Sequence, residues 1–95
     1  MSYWVYIMAS KPFGTLYVGM TSELVHRVYQ HREGLVDGFT KEHDVKMLVW
    51  YEEHATAAAA IQREKNIKHW PRAWKVDLIR EMNPEWRDLF EDIMR

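Results

Sequence analysis

Hydrophobic and polar positions divide the chain into short segments with distinct periods. From Tyr3 to Ala9, Tyr3, Val5 and Ile7 alternate with Trp4, Tyr6 and Met8, and aromatic and β-branched side chains dominate, as in a strand. Both of its faces are apolar, which predicts a central strand covered on each side. Ser10 to Thr15 (SKPFGT) carries Pro12 and Gly14 and reads as a turn. Leu16 to Val18 then returns as a second, antiparallel strand that breaks at Gly19. Pairing Ala9 with Leu16 sets Met8 opposite Tyr17 and turns Tyr6 and Tyr17 to one face. A slip of one residue would separate the two phenols.

A helical period follows over Glu23 to Glu33, behind Thr21 and Ser22 as candidate caps, and stops at Gly34. Arg27 and His31 stand one turn apart on the side that carries Leu24 and Val28. A cation and an imidazole thus interrupt a stripe that packing would make apolar, and a buried charge without a partner is costly. Leu35 to Asp44 is irregular, with Phe39 expected to anchor a loop. Val45 to Glu52 has the composition of a third strand. Thr56 is the expected cap of a second helix, whose stripe runs Ala57, Ala60, Ile61, then position 64, then Ile67 or Lys68. Position 64 is Glu, a second charge in a core-facing row. Pro71 starts a third helix at its first position, including Trp74, Val76, Leu78 and Ile79. Trp70 and Trp74 are expected to anchor helices two and three. Glu85 to Met94 gives a last helix burying Trp86, Leu89, Phe90 and Ile93. The expected architecture is α/β of the α+β type: a small three-stranded antiparallel sheet flanked by helices, ordered β-β-α-β-α-α-α, in one domain over 1–95.

Composition narrows the function classes. The 95 residues are 47% hydrophobic and 14% aromatic, enough apolar surface to exclude a disordered chain. No Cys is present, which excludes disulfides, a thiolate nucleophile and Cys-based zinc sites. No run approaches the ~18 apolar residues of a membrane helix, and the start lacks the basic region of a signal peptide. A cytoplasmic protein without membrane contact is the expectation. Net charge is −1, from 13 Lys and Arg against 14 Asp and Glu, so the total does not mark a nucleic-acid binder. The distribution does more. Arg63, Lys65, Lys68, Arg72, Lys75 and Arg80 fall together with only Glu64 and Asp77 between them. That segment reads either as a solvated helix face or as a phosphate-contacting surface.

The residues that break the apolar pattern match a known set. Val5, Tyr6 and Ile7 in the first strand, Tyr17, Val18 and Gly19 in the second, then Arg27, His31 and a helical Glu64 resemble the GIY-YIG nuclease superfamily, and in particular its small stand-alone members. The resemblance covers roughly residues 3–80, with 81–95 as a helical continuation. Val5 stands where the family name has Gly, and Val18 where it has Ile. The resemblance implies phosphodiester hydrolysis in nucleic acid, DNA in the first place, with a divalent metal, Mg²⁺ or Mn²⁺. By position, Tyr6 and Tyr17 match the motif tyrosines, Arg27 the helical arginine, His31 the polar residue a turn later, and Glu64 the carboxylate metal ligand, while Gly19 completes the second motif. A polar residue, often Asn, follows the metal ligand in active members, and Lys75 is the nearest polar residue here. A lone domain of this charge implies weak affinity by itself and a partner protein for targeting.

Those residue types suit that chemistry. In-line attack on a phosphodiester needs an oriented water and neutralised phosphoryl oxygens. A guanidinium such as Arg27 grips phosphate with paired donors and stays charged at any working pH. A single Glu suits a cation that keeps several waters. A phenol, with a pKa of ~10, is a poor base by itself; a nearby metal, Arg27 and His31 are the groups that would lower that pKa or accept the proton onward, so that either Tyr6 or Tyr17 activates water with His31 assisting. Tyr29 and Lys68 are expected to border the site. Each residue also has a plain structural reading: Tyr6 and Tyr17 as core aromatics, Arg27 and His31 as surface partners of Glu23 or Glu33, Glu64 as an i,i+4 partner of Lys68. The other histidines, His26, His43, His54 and His69, show no metal-ligand spacing.

Overall fold

The two-sided apolar strand Tyr3–Ala9 (β1) lies in the middle of the sheet, as its pattern requires, with Val5 through Ala9 all buried. The computed structural model describes residues 1–36 and 38–95; the part of the segment read as irregular that falls on Asp37 lies outside the described residues. Among the described residues the chain continues with β2 (Leu16–Thr21), α1 (Leu24–Arg32), α2 (Phe39–Glu42), β3 (Met47–His54), α3 (Ala57–Lys68), α4 (Arg72–Met82) and α5 (Phe90–Ile93). The sheet is antiparallel in the order β2-β1-β3. Between Ile7 and Met8 the β1–β3 register shifts, from Ile7 opposite Trp50 to Met8 opposite Leu48. Val49 is the extra residue of a bulge there.

Each face of the sheet carries its own core. Val5, Ile7, Ala9, Val18, Val49 and Trp50 pack with Ala60 and Ile67 of α3, Ile79 of α4, and Trp86. On the other face Tyr6, Met8 and Leu48 pack with Leu24 and Val28 of α1, Val45 and Leu89, and Phe90 and Ile93 of α5 close over them. No helix among the described residues is long and apolar enough to cross a membrane.

Several expectations shift in detail, each for a local reason. β2 does not break at Gly19 but runs through it to Thr21. The capping hydroxyl of Thr21 accepts from Glu23 N at 3.0 Å, ahead of the helix it was expected to start, and α1 has no side-chain cap bond. The expected stop is present: Gly34 has φ +68°, its N–H donates to His31 O and Leu35 N–H donates to Gln30 O, the paired bonds of a Schellman motif. Phe39 does not anchor a loop but opens the one-turn α2, and it is 45% exposed. Thr56 caps α3 as expected, accepting from Ala59 N at 3.2 Å. Pro71 is the cap of α4 rather than its first residue. Ile61 is 42% exposed, because Ala60 and Ile67, seven residues apart, set the buried seam of α3 and turn Ile61 away. Trp74 is 57% exposed and meets Trp70 edge-on at 5.9 Å, so it anchors little.

The largest difference is at the end. The helix expected over Glu85 to Met94 is confined to Phe90–Ile93. Side chains supply the preceding segment's backbone with partners that a helix would otherwise provide. Asn83 Nδ2 donates to Val49 O (3.3 Å) and Arg87 O (2.8 Å), while its Oδ1 accepts from Arg87 N at 3.0 Å. Asp88 Oδ1 accepts from Leu48 N and Phe90 N, and Leu89 N donates to Leu48 O. The segment therefore covers part of the β3 edge, which would otherwise present unpaired backbone groups.

Candidate active site

Register brings the two phenols together. Met8 faces Tyr17 and Tyr6 faces Gly19 across the β1–β2 ladder, so Tyr6 and Tyr17 share a face with ring centroids 6.3 Å apart. The Tyr6 phenol lies over the glycine opposite it. A Cβ at Gly19 would stand 2.5 Å from the Tyr6 hydroxyl oxygen and 2.6 Å from its Cζ, which explains why this strand position carries no side chain.

The helix α1 delivers His31 to the same place. His31 is 1% exposed, and its Nε2 lies 3.0 Å from the Tyr6 hydroxyl. Its Nδ1 lies 3.0 Å from Oγ1 of Thr40, itself 3% exposed on α2. The imidazole in the apolar stripe is thus a buried group with both nitrogens bonded, which offsets its desolvation. Burial, and then the charge of Arg27, lower its pKa from 6.5 to about 4, so it is neutral near pH 7. Burial, and then Tyr17, push the Tyr6 hydroxyl up to about 12, with the negative charge of Glu64 adding to the rise. Arg27 acts the other way on that hydroxyl, through hydrogen bonding and charge.

Charges reach this pair from helices on opposite faces of the sheet. Arg27 projects from α1, bonds Gln30 Oε1 at 3.3 Å, and among the described residues pairs with no carboxylate. Glu64 projects from α3, whose apolar seam packs on the other sheet face, yet its charge bears on the Tyr6 hydroxyl. Lys68, one turn on, lies 3.6 Å from Glu64 and holds its ammonium 6.0 Å from the Tyr17 ring centroid. Glu64 and Lys68 thus lie beside β2, the edge strand that carries Tyr17. Phe39 stacks on Tyr17 at 6.3 Å. Among the described residues the Tyr17 hydroxyl has no hydrogen-bond partner.

Several of the basic positions expected to contact phosphate already have partners within the fold. Arg63 donates to both carboxylate oxygens of Glu52 (3.0 and 3.3 Å) and lies over Trp70. Arg72 donates to Phe13 O and Gly14 O, tying α4 to the β1–β2 turn. Lys75 donates to Lys68 O at 3.3 Å, at the end of α3. Lys65 is exposed on α3. Of the basic positions, Lys68 and Arg27 stand at the tyrosines. Tyr29, expected to border the site, lines an apolar groove of 570 Å³ between α1 and α5, with Val25, Phe90 and Met94. Three of the other histidines have local partners, His43 against Phe39, His54 on Glu52 and His69 on Lys65 O. Thr40 escaped sequence reasoning, since its partner is His31 across a turn and no period marks it.

Among the described residues no three His, Cys, Asp or Glu side chains gather as a metal cage. The donor set near the tyrosines is one carboxylate, Glu64, whose side chain is 21% exposed. Such a set fits a hard cation that retains waters and takes phosphate oxygens as further ligands, and it does not fit a dedicated protein cage.

Comparison with known proteins follows the same lines. A family model described as the GIY-YIG catalytic domain matches residues 2–77. UPF0213 proteins of Staphylococcus aureus, among them those of strains Mu3 and Mu50, are 35% identical over 80 residues, covering 84% of this chain and 96% of theirs. The solution NMR structure of the UPF0213 protein BH0048 from Bacillus halodurans matches with a TM-score of 0.59 at 25% identity, covering 93% of each chain.

Proposed function

The chain belongs to the GIY-YIG catalytic-domain family, and from that premise we propose that it is a metal-dependent endonuclease that hydrolyses phosphodiester bonds in nucleic acid, DNA in the first place, with residues 1–95 acting as one domain. The observation that carries the reading is the hydrogen bond between Tyr6 and buried His31, at a hydroxyl on which both Arg27 and Glu64 act.

In this reading Arg27 binds the scissile phosphate through paired donors and offsets its developing charge. Tyr17, whose hydroxyl is open, orients the attacking water, and Lys68 beside it adds positive potential. Tyr6 and His31, both neutral near pH 7, hold the guanidinium in place from below. Glu64 is the residue that would hold Mg²⁺ or Mn²⁺, and such an ion would supply positive charge to the phosphoryl group. The water oxygen bonds phosphorus and the bond to the leaving oxygen breaks; the water's proton passes to the Tyr17 oxygen as the Tyr17 hydroxyl gives its own to solvent, and the leaving oxygen takes a proton from solvent.

The Lys68 ammonium competes with a cation for Glu64, and this favours a second reading: a nucleic-acid-binding module that relies on a partner protein for targeting and turnover. The test is nicking of single-stranded, branched and duplex DNA by the purified chain with Mg²⁺ or Mn²⁺. Cleavage lost in Arg27→Ala supports the nuclease. Binding of all three substrates without any cleavage replaces it with the module.

A further inference from the structure

Thr40 has no place in the expected site, yet it closes a line of buried polar groups: Thr40 Oγ1, the two nitrogens of His31 and the Tyr6 hydroxyl, a hydroxyl on which the charge of half-buried Arg27 acts. A neutral imidazole carries one N–H, so the line runs in one of two directions. Of the two hydroxyls the phenol is much the stronger acid and the stronger donor. Tyr6 is 1% exposed, so water offers its proton no acceptor, while Arg27 only donates. The phenol proton therefore goes to His31 Nε2, and His31 Nδ1–H goes to Thr40 Oγ1. In that arrangement the Tyr6 oxygen keeps its lone pairs for the guanidinium.

We propose that Thr40 is a positioning residue: by accepting Nδ1–H it holds His31 in the tautomer with a bare Nε2, and through Tyr6 it orients Arg27 toward phosphate. The opposite tautomer would aim Nε2–H at the Tyr6 oxygen. It would then compete with the guanidinium for the same acceptor. The cleavage part of the inference rests on the nuclease reading, whereas the tautomer does not.

Two measurements separate these. Long-range ¹H–¹⁵N spectra of the imidazole rings, with His31 assigned from the His31→Gln spectrum, report which nitrogen bears the proton in the folded wild type, Thr40→Ser and the isosteric Thr40→Val. The proposal expects Nδ1–H in wild type and Thr40→Ser, and a shift toward Nε2–H in Thr40→Val. Cleavage kinetics on the substrate that wild type cuts best should show kcat/KM lower by about tenfold in Thr40→Val, the scale of outer-shell partners of functional histidines, and within about threefold in Thr40→Ser. An Nε2–H tautomer in wild type, or a His31 tautomer indifferent to Thr40→Val, overturns the proposal. A folded wild type that shows Nδ1–H and cuts nothing refutes the nuclease reading and leaves the Thr40–His31 assignment standing.

Discussion

Gly19→Ala adds one methyl group to the most crowded point of the site. The new Cβ would stand 2.5 Å from the Tyr6 hydroxyl oxygen, 2.6 Å from Cζ and 3.0 Å from Tyr17 Cε2, all well inside van der Waals contact. Tyr6 cannot simply turn aside, because it is 1% exposed and bonded to His31. Either the β1–β2 ladder opens or the phenol swings off His31 and leaves a buried nitrogen unpaired. Overpacking costs ~1–3 kcal/mol and an orphaned buried acceptor a similar amount. Since the two overlap, the expected loss is about 2–4 kcal/mol, or ~10–25 °C in Tm for a domain of this size. Urea denaturation of four proteins reads it: wild type, Gly19→Ala, Tyr6→Phe and the double variant. Removing the hydroxyl removes the 2.5 Å contact and the bond to His31 that pins the ring, so that the ring can shift away from the remaining 2.6 Å contact at Cζ, and Gly19→Ala should cost at least ~1 kcal/mol less in the Tyr6→Phe background. A cost under ~0.5 kcal/mol, or the same cost in both backgrounds, would refute the claim that this glycine makes room for the phenol.

Four further outcomes follow from contacts elsewhere in the fold and at the site. The folded-state pKa of His31, depressed to about 4, means that its contribution to stability is present above the unfolded value of 6.5 and is lost as pH falls toward 4. That loss amounts to at most ~3 kcal/mol, and His31→Gln should flatten the acid limb of the stability curve by the same amount. The raised Tyr6 hydroxyl, at about 12, is the reverse case: its contribution is present below pH 10 and lost between 10 and 12, a loss that Tyr6→Phe should abolish. Asn83→Ala removes three hydrogen bonds that hold the segment along β3, and urea denaturation should show a loss of ~2–3 kcal/mol. Because Arg63, Arg72 and Lys75 are spent within the fold, nucleic-acid binding should show a log–log salt slope of only about −2 to −3. A slope near −5 would mean that those bonds open in the complex.

How much of this was legible in the chain depends on how far each signal reaches. The hairpin was readable because Pro12 and Gly14 fix the turn and the pairing of Ala9 with Leu16 follows, which alone puts Tyr6 and Tyr17 on one face. His31 was readable as an anomaly, since an imidazole in an apolar row demands partners. Its second partner was not, because Thr40 lies in a one-turn helix inside a stretch without hydrophobic period. The basic segment was visible as charge, but a count cannot show that Glu52, Phe13 O, Gly14 O and Lys68 O already hold three of its members. The final helix was overcalled because Trp86, Leu89, Phe90 and Ile93 do face the core. They reach it through an irregular segment that Asn83 and Asp88 hold by side-chain bonds, and spacing alone does not distinguish the two.

The central claim is that Glu64 carries the metal for phosphodiester cleavage. The most direct measurement is the rate of single-turnover DNA cleavage by wild type and Glu64→Gln, purified identically and titrated with Mg²⁺ and with Mn²⁺. Gln keeps the length and the α3 helix while removing the charge. The account predicts metal-dependent cutting by wild type and a loss of at least about 100-fold in Glu64→Gln, with DNA binding in the absence of metal unchanged. Equal rates for the two proteins would contradict it, because the activity would then belong to another residue or to another nuclease in the preparation.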